Sequence, residues 1–204
     1  MYNYRQMTSK ERRRIVEDRR NKHVPWHSPP HLEIAGEVSY LVTAACYEHL
    51  SIVGLSPERM SECEEGVLDA CREIGARIYA WCILPNHYHA LVRTEQIKAL
   101  LKNLGRFHGR SSFNWNGQDK KRGRHCWYNA FDRYMRFDRH FFATLNYVHN
   151  NPVHHGYVEK WTDWPWSSAA EFIEQTGRGE AARLWREFSL RPVQTGRRLL
   201  RCVR

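Results

Sequence analysis

The sequence has no apolar run approaching the ~18 residues that a membrane span needs. Its first twenty residues are polar and rich in arginine, without the apolar stretch of a secretory signal. Six cysteines (Cys46, Cys63, Cys71, Cys82, Cys126 and Cys202) include no C-x-x-C pair and no regular spacing. That pattern offers no disulfide framework, so reduced, mostly buried thiols in a cytoplasmic protein are expected. No internal repeat and no second composition regime is present, which favours one domain with tails. Acidic residues are in deficit, with 22 Asp and Glu against 32 Lys and Arg.

What is present suits a globular chain with a polyanionic partner. At 204 residues and 42% hydrophobic content, there is enough chain to bury a core. The formal charge of +10 points most simply to nucleic acid, although a basic surface can also serve solubility alone. Eight Trp, ten Tyr and eight Phe, many close to Arg or Lys, favour single strands, where bases stack on rings while phosphates meet cations.

The pattern along the chain divides it into a basic extension over 1–35, a domain over 36–170 and a basic extension over 171–204. Lys10 to Lys22 is a candidate helix offering Arg12, Arg13, Arg14, Arg19 and Arg20, with a solvated tail as the alternative. Alternating Val38, Tyr40, Val42 and Ala44 predict a half-buried strand. Ser56-Pro57 is a helix start, and Met60, Cys63, Val67, Leu68, Cys71 and Ile74 give that helix one apolar stripe, ending near Gly75. Strands are expected over 77–84 and 87–94 around a Pro85-Asn86 turn. A second amphipathic helix carries Ile97, Leu100, Leu101, Leu104 and Phe107 inward, with Lys98, Lys102, Arg106 and Arg110 outward. A polar loop is expected over 114–123 and an aromatic strand within 125–134. The order strand, helix, strand, strand over 36–94 suits an α+β sandwich of the ferredoxin-like kind.

Two stretches carry chemistry. His87 and His89 alternate on a strand, so both imidazoles leave one face and can hold one divalent metal between them. A pair of polar residues on a solvated face is the alternative. Farther on, Phe141, Phe142, Leu145 and Val148 define a helix on which Asn151 follows Tyr147 by one turn. Pro152 disfavours helical geometry for Asn151, which is therefore expected at or just beyond the last turn.

Pro85-Asn86-His87-Tyr88-His89-Ala90-Leu91-Val92 and Tyr147-Val148-His149-Asn150-Asn151-Pro152-Val153 together resemble the single-tyrosine HUH transposases. With Trp164-Pro165-Trp166-Ser167-Ser168, the wording is similar to the REP-associated tyrosine transposase branch. The resemblance implies a small antiparallel sheet flanked by helices, with His87, His89 and Asn151 as metal ligands and Tyr147 as nucleophile. It implies Mg²⁺ or Mn²⁺ as cofactor, single-stranded DNA with hairpin repeats as partner, and a nucleoid-associated protein working as monomer or homodimer. Its implied reaction is strand transfer through a 5′-phosphotyrosine; a water-using nuclease and a non-catalytic DNA-binding module are the alternatives. At His154-His155-Gly156 the chain departs from the arginine-containing stretch of many relatives. His125, His149, His154 and His155 are expected to be structural or to face DNA. Candidate phosphate contacts are Lys102, Arg106 and Arg110, the loop Lys120, Lys121 and Arg122, and Arg197, Arg198, Arg201 and Arg204 near the end.

Overall fold

A computed structural model describes residues 36–188, together with Thr8, Lys10, Arg14 and Glu17. Two compact units divide the chain, Met1–Glu33 and Ile34–Arg204. In the first, Lys10, Arg14 and Glu17 have helical backbone, as the charged pattern predicts; Arg12, Arg13, Arg19 and Arg20 lie outside the described residues.

The second unit is built on four antiparallel strands, β1 (Val38–Ala45), β2 (Arg77–Leu84), β3 (His87–Thr94) and β4 (Phe131–Tyr134), in the order β2-β3-β1-β4. Between them run α1 (Pro57–Arg72) and α2 (Ile97–Gln118), followed by α3 (Asp138–His154), α4 (Ala169–Thr176) and α5 (Arg178–Glu187). This is the α+β arrangement the pattern predicts, an open antiparallel sheet flanked by helices.

Strand alternation divides the labour between the two faces. Tyr40, Val42, Ala44, Tyr88, Ala90 and Val92 pack with Met60, Cys63 and Val67 of α1 and Leu100, Leu104, Phe107 and Trp115 of α2 in one large core. Gly66 is what allows the two helices to close, because a Cβ there would sit 2.3 Å from the Phe107 ring. Ser56 caps α1, its Oγ accepting from the Arg59 amide at 3.3 Å. The opposite face carries a smaller core, in which Ala80, Cys82, Leu84 and Leu91 meet Leu145 and Val148 of α3. Cys46, Cys63, Cys71, Cys82 and Cys126 are buried free thiols, and Cys202 lies outside the described residues. Burial pushes Cys46 up to about 11 and Cys71 to about 12, so these are packing residues.

Two local readings are corrected. α2 does not give way to a loop at Asn114 but continues to Gln118. Asn114, Asn116 and Gly117 cost the helix roughly 2 kcal/mol in propensity, yet burying Trp115 returns on the order of 2–3 kcal/mol. Its indole also donates to Glu62 at 2.7 Å, so tertiary packing overrides the local preference. The aromatic segment, as expected, yields a strand within 125–134, at Phe131–Tyr134, while Trp127 makes a single bridge to Cys46. Helix α3 runs through Pro152 to His154, placing Asn151 inside it. Asn151 and Pro152 are both buried, and the carbonyls of Asn151, Pro152 and Val153 accept from the amides of His155, Tyr157 and Gly156, so the last turn closes despite the ring.

Past Trp166, Ile83 N donates to Trp166 O at 2.9 Å and Ser168 N to Trp81 O at 3.1 Å, so the Trp164-Pro165-Trp166-Ser167-Ser168 segment covers the open edge of β2. Covering an edge satisfies backbone groups that would otherwise recruit another strand. His149 ties this segment to α3, with Nε2 3.0 Å from Ser168 Oγ.

Candidate active site

β3 and α3 bring the two motifs together. His87 and His89 leave the same face of β3 with ring centroids 5.0 Å apart. α3 crosses that face over β2 and β3, and Leu145 and Val148 pin it there. The turn spacing on α3 then aims Tyr147 and Asn151 at the imidazoles. Tyr147 Oη is 3.3 Å from His89 Nε2, and Asn151 Oδ1 is 3.3 Å from His87 Nε2.

The far nitrogen of each ring is held by a polar partner. His87 Nδ1 lies 2.7 Å from Asn86 Oδ1, and Asn86 Nδ2 donates to the His49 carbonyl at 3.1 Å. That second bond fixes the Asn86 amide, so His87 Nδ1 must be the donor and Nε2 carries the lone pair. His89 Nδ1 lies 2.7 Å from Thr43 Oγ1. The Thr43 hydroxyl can accept as well as donate; when it accepts the Nδ1 proton, His89 likewise presents a lone pair at Nε2. Such outer partners are how proteins orient imidazole ligands.

Both rings are neutral at pH 7. Burial, then the neighbouring His155, pushes His87 down to about 4. Burial, then His87, holds His89 well below its ordinary value. A neutral imidazole is the ligand form, whereas a charged one would repel a cation.

Asn151 is 0% exposed, and its Nδ2 has no partner. Its carbonyl oxygen faces the His87 lone pair, so two acceptors meet at 3.3 Å with no proton between them. Mutually facing acceptors are unfavourable unless a positive charge joins them. Two imidazole nitrogens and an amide oxygen with this polarity fit a divalent ion of the Mg²⁺ or Mn²⁺ kind. Among the described residues, no group of three His, Cys, Asp or Glu forms a metal cluster, so an ion held by His87 and His89 would need the Asn151 amide as its third donor.

Other residues reach the site that the sequence reading did not assign to it. His155 is exposed and its ring centroid is 5.1 Å from that of His87, so the departure at His154-His155 puts an imidazole at the mouth of the site. Thr43 is separated from His89 by 46 positions, a distance no local pattern spans. Glu48 and His49 both have left-handed backbone, φ 59° and 55°, a costly conformation for residues with a Cβ. It turns the His49 carbonyl toward Asn86. His149, by contrast, is buried on another flank of α3, stacked with Trp161, as the structural reading expects.

The candidate phosphate contacts are not gathered at this site. Lys102, Arg106 and Arg110 are exposed on α2, which packs against the opposite face of the sheet. Lys120, Lys121 and Arg122 are exposed in the turn after α2, and Arg122 is folded back onto Phe113, its guanidinium 4.3 Å from the ring centroid. Arg197, Arg198, Arg201 and Arg204 lie outside the described residues.

The described residues contain no helix long and apolar enough to cross a membrane. Residues 41–151 match the family described as Transposase IS200 like. A Haemophilus influenzae protein named as a REP-associated tyrosine transposase is 32% identical over 126 residues, covering 53% of this chain and 68% of the relative. The solved structure of a REP-associated tyrosine transposase bound to a REP hairpin shares the fold, with a TM-score of 0.56 and 17% identity over 74% of this chain and 86% of its own. The matched span opens in β1 and closes on Asn151 of α3, taking in the first motif and the second as far as Asn151, and the chain belongs to the IS200-like transposases, in their REP-associated tyrosine transposase branch.

Proposed function

We propose that this protein cuts and rejoins single-stranded DNA at hairpin-forming repeats, with Tyr147 as nucleophile and His87, His89 and Asn151 as ligands of Mg²⁺ or Mn²⁺. The observation that carries the reading is the Tyr147 hydroxyl 3.3 Å from His89 Nε2 on a face where His87 and Asn151 also converge. The ion would polarise a phosphoryl oxygen and neutralise charge that repels the nucleophile. His89 Nε2 has one lone pair, which serves either an ion or the phenol. When it is engaged elsewhere, the Tyr147 hydroxyl is free to turn to phosphorus. A Tyr147 Oη–P bond then forms as the P–O3′ bond breaks, the phenol loses a proton and the leaving 3′ oxygen gains one. The product is a 5′-phosphotyrosine and a free 3′-hydroxyl, and attack by another 3′-hydroxyl reverses the exchange and joins strands without ATP. The hairpin repeat is proposed because a structural relative is bound to a REP hairpin. Acting on DNA of that kind would put the protein with the nucleoid.

The test is denaturing electrophoresis after incubation with an end-labelled hairpin, cut from the DNA flanking the gene, and Mn²⁺. Wild type is expected to carry label in a covalent adduct, and Tyr147→Phe to lose it while binding DNA normally. An adduct surviving in Tyr147→Phe removes Tyr147 from the role. Cleavage without any adduct indicates water as nucleophile, and binding without cleavage indicates a DNA-holding module.

A further inference from the structure

Among the described residues, half of the sheet face that carries the site has little helix over it. α3 lies chiefly over β2 and β3, while β1 and β4 extend beside it with Leu41, Thr43 and Ala45 half-buried. Strand register says what faces outward there. Cys82, His89, Thr43 and Phe131 pair in one row across all four strands, and Ala80, Leu91, Leu41 and Arg133 pair in the next. Paired residues share a face, so Phe131 and Arg133 stand on the same side as the imidazoles. With strands ~4.8 Å apart, Phe131 is about 10 Å from His89, separated from it by Thr43.

Phe131 is 44% exposed, and Arg133 is exposed beside it on the edge strand. An aromatic ring left in water at a strand edge has no part in the core, and alternation turns its acidic neighbour Asp132, paired with Val42, toward the other face. Farther along the strands on the same face is a cavity of about 490 Å³ whose lining includes Tyr79, Phe137 and Phe141, the cations Arg93 and Arg136, and the carboxylates Glu37 and Asp138. That volume accommodates a nucleobase, and Phe137 at its rim is 61% exposed. The cavity's charges are mixed, with Arg93 paired to Glu37 at 2.9 Å, and it is Arg133 and Arg136 that, after burial, hold the nearby His140 below its ordinary value.

We infer that the β1–β4 half of this face is a track for the single strand flanking the scissile phosphate, with a base stacked on Phe131, the adjoining phosphate on Arg133, and a further base directed to the Phe137 cavity. The inference rests on the proposed strand-transfer reading. A ring and a guanidinium on successive rows give the alternation of apolar and cationic contacts that single-stranded nucleic acid requires. The track is continuous with the site, through Thr43.

The experiment compares two probes by fluorescence anisotropy in the full-length protein: a repeat hairpin from the flanking DNA, and the same hairpin with its native single-stranded extension. Phe131→Ala is expected to weaken the extended probe about five- to hundredfold and to leave the bare hairpin unchanged, with Phe131→Trp restoring affinity. Arg133→Gln is expected to lower the slope of log affinity against log salt by about 0.7 on the extended probe. Equal losses on both probes, or none, overturn the track. The covalent adduct assay runs in parallel: an adduct in wild type with unchanged extended-probe affinity in Phe131→Ala sinks the track alone, whereas no adduct in wild type sinks the strand-transfer reading.

Discussion

Replacing Thr43 by valine tests whether the imidazoles are prepared for their task from behind. The two side chains are nearly isosteric, and a strand tolerates both. What is lost is the oxygen 2.7 Å from His89 Nδ1. His89 is 4% exposed, so water does not readily replace that partner. An unpaired buried donor costs ~1–3 kcal/mol, and the neutral ring can escape the cost by moving its proton to Nε2. There the proton lies where the Tyr147 hydroxyl or an ion needs a lone pair. Removing outer partners of ligand histidines typically costs 10- to 100-fold in metal affinity or activity, or about 1.4–2.7 kcal/mol in the barrier. The assay is single-turnover adduct accumulation with saturating protein, labelled hairpin and titrated Mn²⁺. Thr43→Val is expected to slow adduct formation by 10- to 100-fold, with hairpin affinity retained and Thr43→Ser close to wild type. Wild-type rate and metal dependence in Thr43→Val would refute the reasoning.

Gly54→Ala pushes a methyl to 2.3 Å from Pro85 Cβ and 2.8 Å from its Cα, so the hairpin tip must move; a loss of about 1–3 kcal/mol in denaturant titration, with reduced adduct yield, is expected. Asp119 receives the buried Arg59 guanidinium at 2.6 Å and Arg124 at 2.6 Å, and the Arg59 hydrogen bond first of all holds its carboxyl at about 2. Because the folded value is depressed, its contribution is present above the unfolded value near 4 and is lost as pH falls toward 2. Asp119→Asn is expected to cost about 2 kcal/mol at pH 7, allowing for solvent contact, and to flatten that acid limb of the stability profile. His108, held by burial at about 4, binds a proton less readily than in the unfolded chain, so stability falls as pH drops from about 6.5 to about 4. His108→Gln is expected to remove on the order of 2–3 kcal/mol of that fall, read from chemical denaturation at pH 7 and pH 4.

The sheet and the first helix were legible because their signals are local. Alternation placed β1, the Pro85-Asn86 turn placed the hairpin, and Ser56-Pro57 placed the start of α1. The ends of α2 and α3 were misjudged because Trp115 and the buried Asn151-Pro152 pair answer to partners distant in sequence, which local propensity does not count. Of the site, the two motifs identified the four residues that converge. Thr43, Asn86 and His49 did not show themselves, since a threonine in a strand and an asparagine in a turn are ordinary in those places. Their importance comes from strand register and from one left-handed dipeptide, which only the fold reveals. The basic residues were the least legible: charge marks a helix face as exposed but not which side of the sheet it occupies, and Lys102, Arg106 and Arg110 lie on the side away from the imidazoles.

That separation follows from a period of two. In β3, Tyr88, Ala90 and Val92 belong to the large core, while His87 and His89 belong to the site; in β1, Tyr40, Val42 and Ala44 pack, while Thr43 supports His89. One residue of slippage between β1 and β3 would bury the imidazoles among apolar side chains and expose Tyr88, so the hydrophobic effect that selects the register also aligns Thr43 with His89. At roughly 1.5–3 kcal/mol for each large apolar side chain, that selection far outweighs the single hydrogen bond it sets. The site therefore need not stabilise its own assembly. It contains buried neutral imidazoles, an unpartnered amide and two facing acceptors, all unfavourable features held in place by the core on the other side of the sheet.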